Sequence, residues 1–245
     1  MKEGKYVKKT QEVFQRYEKK YLLTRSQYEK LREAAGDRIV PDVFGRHTIC
    51  NVYFDTESYE LIRASIEKPP YKEKLRLRSY GTLQDDSQVF IELKKKYDGV
   101  VYKRRIPVSL SEAEAYLYEG MKPEKQSQIF REIDWFIRFY RPKPSVFLAY
   151  DRRAFFGKAQ EDFRVTFDTG IRYREDHLHL SEGDAGILLI REDQVLMEVK
   201  MPDSMPFWFG EILSDLEIFP ISFSKYGTYY RQNMNHLFGE GVLDA

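Results

Sequence analysis

Charged residues recur in this sequence in pairs with a single residue between the partners. They are Arg16, Glu18 and Lys20; Arg76 and Arg78; Glu92 and Lys94; Lys103 and Arg105; and Glu198 and Lys200. A spacing of two puts side chains on one face of a β-strand. The intervening residues agree, since Leu75 and Leu77 alternate with the arginines, and Ile91 and Leu93 with Glu92 and Lys94. One such strand needs nothing more than a wetted face. Five strands whose polar positions are almost purely Arg, Lys and Glu point instead to a charge-lined concavity. Arginine forks and lysine point charges both match phosphate oxygens. The few carboxylates among them suit a hard divalent cation bridging those phosphates.

The global charge sharpens this reading. The 245 residues carry a net charge of only +1, yet residues 71–105 hold ten basic and five acidic side chains. Positive charge gathered at one place in a near-neutral protein attracts an anion there and leaves the rest of the surface unsticky. No nucleic-acid motif accompanies it, so no nucleic-acid partner is expected. Hydrophobic residues at 42% exclude a disordered chain, and the length suits one large domain. A lone cysteine, Cys50, excludes a disulfide framework and sits in an apolar run as a buried thiol. The first ten residues are polar, and the longest clean apolar run, 185–190, is far too short for a membrane span. A soluble, cytoplasmic protein is expected.

The elements that must position these side chains are short strands and amphipathic helices. We expect a tail over 1–12, one domain over 13–238 and a second tail over 239–245. Strands are expected at 13–22, 47–55, 71–80, 88–97, 99–108, 145–152, 163–169, 171–175, 186–190 and 194–201. Thr24-x-x-Gln27 caps a helix over 26–35, stopped by Gly36. Ser111-x-x-Glu114 reads as a second capping box, for a helix to about 119. Further helices are expected at 127–140, 206–217 and 225–237. Tight turns such as Asp98-Gly99 favour an antiparallel sheet. The class is α+β, with a large sheet able to close into a barrel.

Other motifs fail their tests. The sequence contains neither a Gly-x-x-x-x-Gly-Lys phosphate loop nor a Gly-x-Ser-x-Gly elbow. His177-x-His179 lacks a third ligand nearby, and the aromatic run around Trp208 reads as packing. By alternation Lys94 shares the face of Glu92, whereas Lys95 is expected in solvent.

In these residues the chain resembles the triphosphate tunnel metalloenzyme superfamily. More narrowly it resembles the catalytic domain of the vacuolar transporter chaperone (VTC) family of polyphosphate polymerases. The landmarks run in order from Glu18-x-Lys20-Tyr21 through Asn51-x-Tyr53-Phe54-Asp55, Arg76-x-Arg78, Glu92-x-Lys94 and Lys103-x-Arg105. They continue with Tyr150-x-Arg152, Arg164-x-Thr166-x-Asp168, Glu198-x-Lys200 and Phe223-Ser224-Lys225-Tyr226. The resemblance implies an antiparallel eight-stranded tunnel. In it Lys20, Arg76, Arg78, Lys94, Lys103, Arg152, Arg164 and Lys225 would hold phosphates during catalysis. Tyr150, Arg105, Lys200 and Ser224 would contact substrate, and Glu198, with Glu18 second, would bind Mn²⁺ or Mg²⁺.

The implied substrates are ATP and inorganic polyphosphate, the γ-phosphate passing to the growing chain. Two positions depart from the wider pattern: Arg16 stands where the superfamily has a carboxylate, and Ser222 where some relatives have a lysine. The residues themselves leave three readings open, namely a polymerase, a triphosphate hydrolase and a non-catalytic polyanion-binding module. Arg76 and Arg78 are expected to point into the tunnel together, so that losing either costs phosphate binding and little stability.

Overall fold

The computed structural model describes residues 17–67, 69–81, 83, 87–98, 100–123 and 127–234. Arg16 and the expected tails at 1–12 and 239–245 lie outside them. The strands are β1 (Tyr17–Thr24), β2 (Ile39–Pro41), β3 (His47–Asp55), β4 (Tyr71–Tyr80) and β5 (Gln88–Tyr97). They continue with β6 (Val100–Ser109), β7 (Lys143–Gly157), β8 (Arg164–Arg174), β9 (Ile187–Leu188) and β10 (Gln194–Met201). The helices are α1 (Arg25–Ala35), α2 (Glu60–Ile66), α3 (Leu110–Leu117), α4 (Gln128–Tyr140), α5 (Phe207–Asp215) and α6 (Lys225–Asn233).

Eight strands pair antiparallel in the order β1-β10-β8-β7-β3-β4-β5-β6, with β2 added to β7 and β9 to β8. Alternation along them separates two faces. The outer face is apolar and covered by helices: α3 and α4 pack over Val52, Leu75, Leu77, Ile91 and Leu93. At the other end of the sheet α1 and α5 pack over Leu23, Val165, Phe167, Met197 and Val199. The inner face holds the charged pairs and, at one end, an apolar plug. There Ile49, Val146, Leu148, Ile171 and Leu196 pack against Ile62 of α2 and Tyr226, Tyr229 and Tyr230 of α6.

The sheet curls so that its two ends face each other. Lys94 on β5 feels the charges of Glu18 and Lys20 on β1 and of Lys200 on β10. Closure through hydrogen bonds, as a barrel requires, is not seen: among the described residues β1 and β6 do not pair. The reason lies at the seam. The segment before α6 takes the free edge of β1, with Ile221 N donating to Lys20 O at 2.7 Å and Lys20 Nζ donating to Phe223 O at 3.0 Å.

Several local expectations meet a different outcome. The expected strands at 163–169 and 171–175 are one strand with a bulge at Gly170, whose φ is +55°. The extra residue shifts the alternation, so Ile171 shares the inner face with Asp168. The 145–152 strand extends to Gly157, and the 186–190 strand shrinks to two residues. The second capping box is Ser109 with Glu112: Glu112 N donates to Ser109 Oγ and Ser109 N to a Glu112 carboxylate oxygen. Ser111 falls inside α3 because β6 ends directly at Ser109. The Thr24–Gln27 box and the 71–80, 88–97 and 194–201 strands stand as expected. Neither α2 nor β2 was anticipated. No helix among the described residues is long and apolar enough to cross a membrane.

Candidate functional site: a charged tunnel

Cross-strand register sets the charges of the inner face in rows. One row is Tyr53, Arg76, Glu92 and Arg105, on β3 to β6. Glu92 is buried and receives four cations: Arg76 at 2.7 Å, Lys103 at 2.7 Å, Arg105 at 3.4 Å and Arg78 at 3.9 Å. Burial opposes its ionisation, but Arg76, Arg78 and Lys103 outweigh it and hold its carboxyl at about 2. Arg76 also donates to the Tyr53 hydroxyl at 3.1 Å, and Arg78 to Asn51 Oδ1 at 2.8 Å.

A second block spans β7, β8, β10 and the start of α6. Arg152 grips Asp168 with two hydrogen bonds, at 2.6 and 2.7 Å, and donates to Glu198 at 3.0 Å. Lys225 donates to the same two carboxylates, at 2.6 and 3.3 Å. Burial again opposes the Glu198 charge, yet Lys225, Arg152, Lys20 and Lys200 hold its carboxyl well below the usual range. Tyr150 joins the blocks. Its hydroxyl accepts from Arg78 at 3.2 Å, while its ring centre lies 4.2 Å from the Lys225 ammonium.

Between the blocks lies a region of different character. Lys74, Lys94 and Lys103 stand opposite one another across β4, β5 and β6. Among the described residues no carboxylate lies within 4.0 Å of Lys74 or Lys94. Burial pushes the Lys74 ammonium down to about 7, with Lys94, Lys72 and Lys20 adding to the effect. Lys94 and Lys200 are lowered by burial too, Glu18 opposing. Lys94 and Glu18 are nevertheless exposed, as side chains are that line a water-filled lumen.

The structure thus brings Lys20, Arg76, Arg78, Lys94, Lys103, Arg105, Arg152, Lys200, Lys225, Tyr150, Glu18 and Glu198 onto one concave face. Ser224 is there as well, although its Oγ also caps α6 by accepting from Gly227 N. Arg164 lies towards the mouth, half-exposed, 3.6 Å from Asp42 and over the Phe156 ring. Sequence reasoning assigned no role to Asn51, Tyr53, Lys74, Glu92 or Asp168. For Lys74 the signal was present: Lys72, Lys74, Arg76 and Arg78 alternate without a gap. Lys95 is not the solvated residue expected, because it is half-buried on the outer face and pairs with Glu73 at 3.4 Å and Glu132 at 3.9 Å. Cys50 is buried, its thiol pushed up to about 11 by desolvation.

The donor set bears on a metal. No three His, Cys, Asp or Glu side chains among the described residues gather into a cluster. Both Glu198 oxygens are engaged, whereas Glu18 has only lysine contacts of 3.4 and 3.8 Å. Two carboxylates fit a hard divalent cation that takes its other ligands from phosphate oxygens and water. They do not form a protein cage for a free one.

A solved structure shares the fold. A provisionally assigned adenylate cyclase from Bacillus halodurans has a TM-score of 0.54 at 15% identity, over 91% of this chain and 98% of that one. Another from Vibrio parahaemolyticus has a TM-score of 0.47 at 10% identity, over 89% and 99%. PH1819 of Pyrococcus horikoshii has a TM-score of 0.45 at 10% identity, over 89% and 99%. No curated protein sequence is significantly similar. Residues 15–233 match the VTC domain, and with its curled antiparallel sheet and charged inner face the chain belongs to the VTC-domain family.

Proposed function

We propose that the tunnel binds a run of phosphate groups and transfers the γ-phosphoryl of ATP to the end of an inorganic polyphosphate chain. The observation that carries this reading is the lysine region between two neutralised blocks. Among the described residues no carboxylate lies within 4.0 Å of Lys74 or Lys94, and a polyanion supplies the close negative charge they lack. Phosphoryl transfer asks little covalent chemistry of a protein; positioning and charge neutralisation supply most of the rate.

In this reading Lys94, Lys20 and Lys200 hold the phosphates, while Arg76 and Arg78 face the transferred group from β4. A terminal oxygen of the polyphosphate attacks the γ-phosphorus. The bond to the β,γ-bridging oxygen breaks, and ADP leaves with that electron pair. Glu18 and Glu198 would hold Mn²⁺ or Mg²⁺, which would supply further neutralisation of the phosphate oxygens. Arg152 and Lys225, both donating to Asp168, also donate to Glu198 and fix it in place.

Hydrolysis of a triphosphate uses the same electrostatics with water as the acceptor, and a binding module uses it with no acceptor. Incubating the protein with ATP and Mn²⁺ and resolving the products separates the three. Long polyphosphate with equivalent ADP is the expected result. Free phosphate without polymer would replace the polymerase with a hydrolase, and unchanged ATP would leave a binding module.

A further inference from the structure

We propose that Lys74 contacts a phosphate group directly and takes up a proton as the anion arrives, so that polyanion binding tightens as pH falls through neutrality. This rests on the tunnel reading above and adds to it a residue and a proton.

The geometry is specific. Lys74 lies on the inner face of β4 between Lys72 and Arg76, with Lys94 opposite it on β5 and Lys103 beyond on β6. From β1, Lys20 adds a further positive charge. The N-terminal residue of α6, Lys225, is already committed to Asp168 and Glu198. A carboxylate that does act on Lys74 is Asp55 on β3, and it too is engaged, accepting from Leu61 N, Ile62 N and the Tyr226 hydroxyl. Towards α2, packed against β4, the polar link is Lys72 Nζ, which donates to Ser65 O.

What Lys74 does touch is informative. Its Nζ donates to Ser224 Oγ at 3.3 Å, and Ser224 caps α6. The ammonium therefore sits at the positive end of a helix among lysines, a place that disfavours a cation and favours an anion. Burial and the neighbouring lysines bring its ionisation to about 7, so near neutrality a fraction of the molecules carry it uncharged. An arriving phosphate supplies the missing negative charge. The Nζ lone pair then takes a proton from the buffer, and the ammonium so formed donates to a phosphate oxygen.

Calorimetric titration with tripolyphosphate, in chelator and without metal, tests this between pH 6.5 and 8.5 in buffers of different ionisation heat. Tripolyphosphate itself titrates there, so the informative quantity is the difference between wild type and Lys74→Arg, whose guanidinium stays charged throughout. Relative to that variant, wild-type affinity should fall about tenfold per pH unit above 7, reaching roughly thirtyfold at pH 8.5. Wild type should also take up more protons per anion bound, by up to about one. Lys74→Met should bind less tightly at pH 6.5 and show no excess uptake, and it carries the comparison should the arginine variant not fold. Parallel pH profiles in wild type and variants would overturn the role of Lys74 while leaving the tunnel intact. Failure of wild type to bind tripolyphosphate at any pH would overturn both.

Discussion

The inner face contains two kinds of positive charge, and they differ in what they wait for. Around Glu92, and again around Asp168 and Glu198, cations are matched to buried carboxylates at hydrogen-bonding distance. Lys74 and Lys94 sit among further cations with no carboxylate within 4.0 Å among the described residues, and burial lowers both, Asp55 and Glu18 opposing only from a distance. The matched blocks are held by the fold itself. The lysine region opposes folding slightly and is relieved only by something from outside. Residue type follows part of this division: Arg76, Arg78 and Arg152 all occupy the hydrogen-bonded blocks, joined there by Lys103 and Lys225, whereas the unmatched region is lysine alone. A planar fork suits several simultaneous partners, whereas a compact ammonium shifts its ionisation readily when desolvated.

The most disruptive way to probe this difference is to strip the carboxylate from a matched block. Glu92→Gln leaves Arg76, Lys103 and Arg105 around a buried neutral amide and should cost about 3–5 kcal/mol in urea denaturation. The same carboxylate makes stability depend on acid. Its folded value of about 2 lies below the unfolded one near ~4.3, so its contribution is complete above about pH 4.5 and disappears as pH falls towards 2. Acid unfolding monitored by circular dichroism should therefore be steeper in wild type than in Glu92→Gln.

Arg76 and Arg78 test both sides of the comparison at once. Changing either to Ala should weaken tripolyphosphate binding or turnover ten- to a hundredfold, worth roughly 1.5–3 kcal/mol. The structure revises the accompanying expectation of unchanged stability. Both side chains are tied to buried partners, Arg76 to Glu92 and Tyr53, and Arg78 to Asn51 and Tyr150. Stability should therefore fall by about 1–3 kcal/mol as well. Unchanged binding in both variants, measured by calorimetry, would remove the arginines from the ligand's path.

Glu198→Gln keeps the shape and removes a charge, so metal-dependent turnover should collapse at any Mn²⁺ concentration tested. Wild-type turnover in excess chelator would end the metal reading. In the lysine region the signs reverse. Lys94→Met should lower tripolyphosphate affinity about tenfold without loss of fold, and Lys74→Met should raise Tm by a few degrees, on the order of 1–4 °C. The folded value of Lys74 lies below the unfolded one near ~10.4, so the unfolded chain binds the extra proton between those values. The gain in Tm should accordingly be complete below about pH 7, fade as pH rises, and vanish by about pH 10. The smallest effect is that of salt on the apoprotein, whose internal pairs are fixed; salt dependence should appear in tripolyphosphate binding, with a steep slope.

Much of this was legible in the residue order. Alternation of charged with apolar residues in 71–80, 88–97 and 194–201 placed both faces of β4, β5 and β10, because side chains on a strand have only two directions. The Thr24–Gln27 box marked a helix start, since a capping side chain acts within three residues. Where structure depended on neighbours distant in sequence, the order was silent. The residue order pointed to Ser111 as the cap, and the end of β6, set by pairing with β5, placed it at Ser109 instead. The Gly170 bulge could be sensed as a break but not as a shift of face, which requires the partner strand.

The order of residues determined that five strands would each carry a charged face, with Arg76, Arg78, Glu92, Lys94, Glu198 and Lys200 on those faces. Periodicity is local and needs no tertiary information. Only strand order and register decided which charges would neutralise each other, setting Arg152 on β7 beside Asp168 on β8 and within reach of Glu198 on β10, while the docking of α6 brought Lys225 to both. The curl set Lys94 near Glu18 and among further cations, with no carboxylate within 4.0 Å of Lys74 or Lys94 among the described residues. Coulomb energy depends on distance and desolvation, and neither is written along a strand.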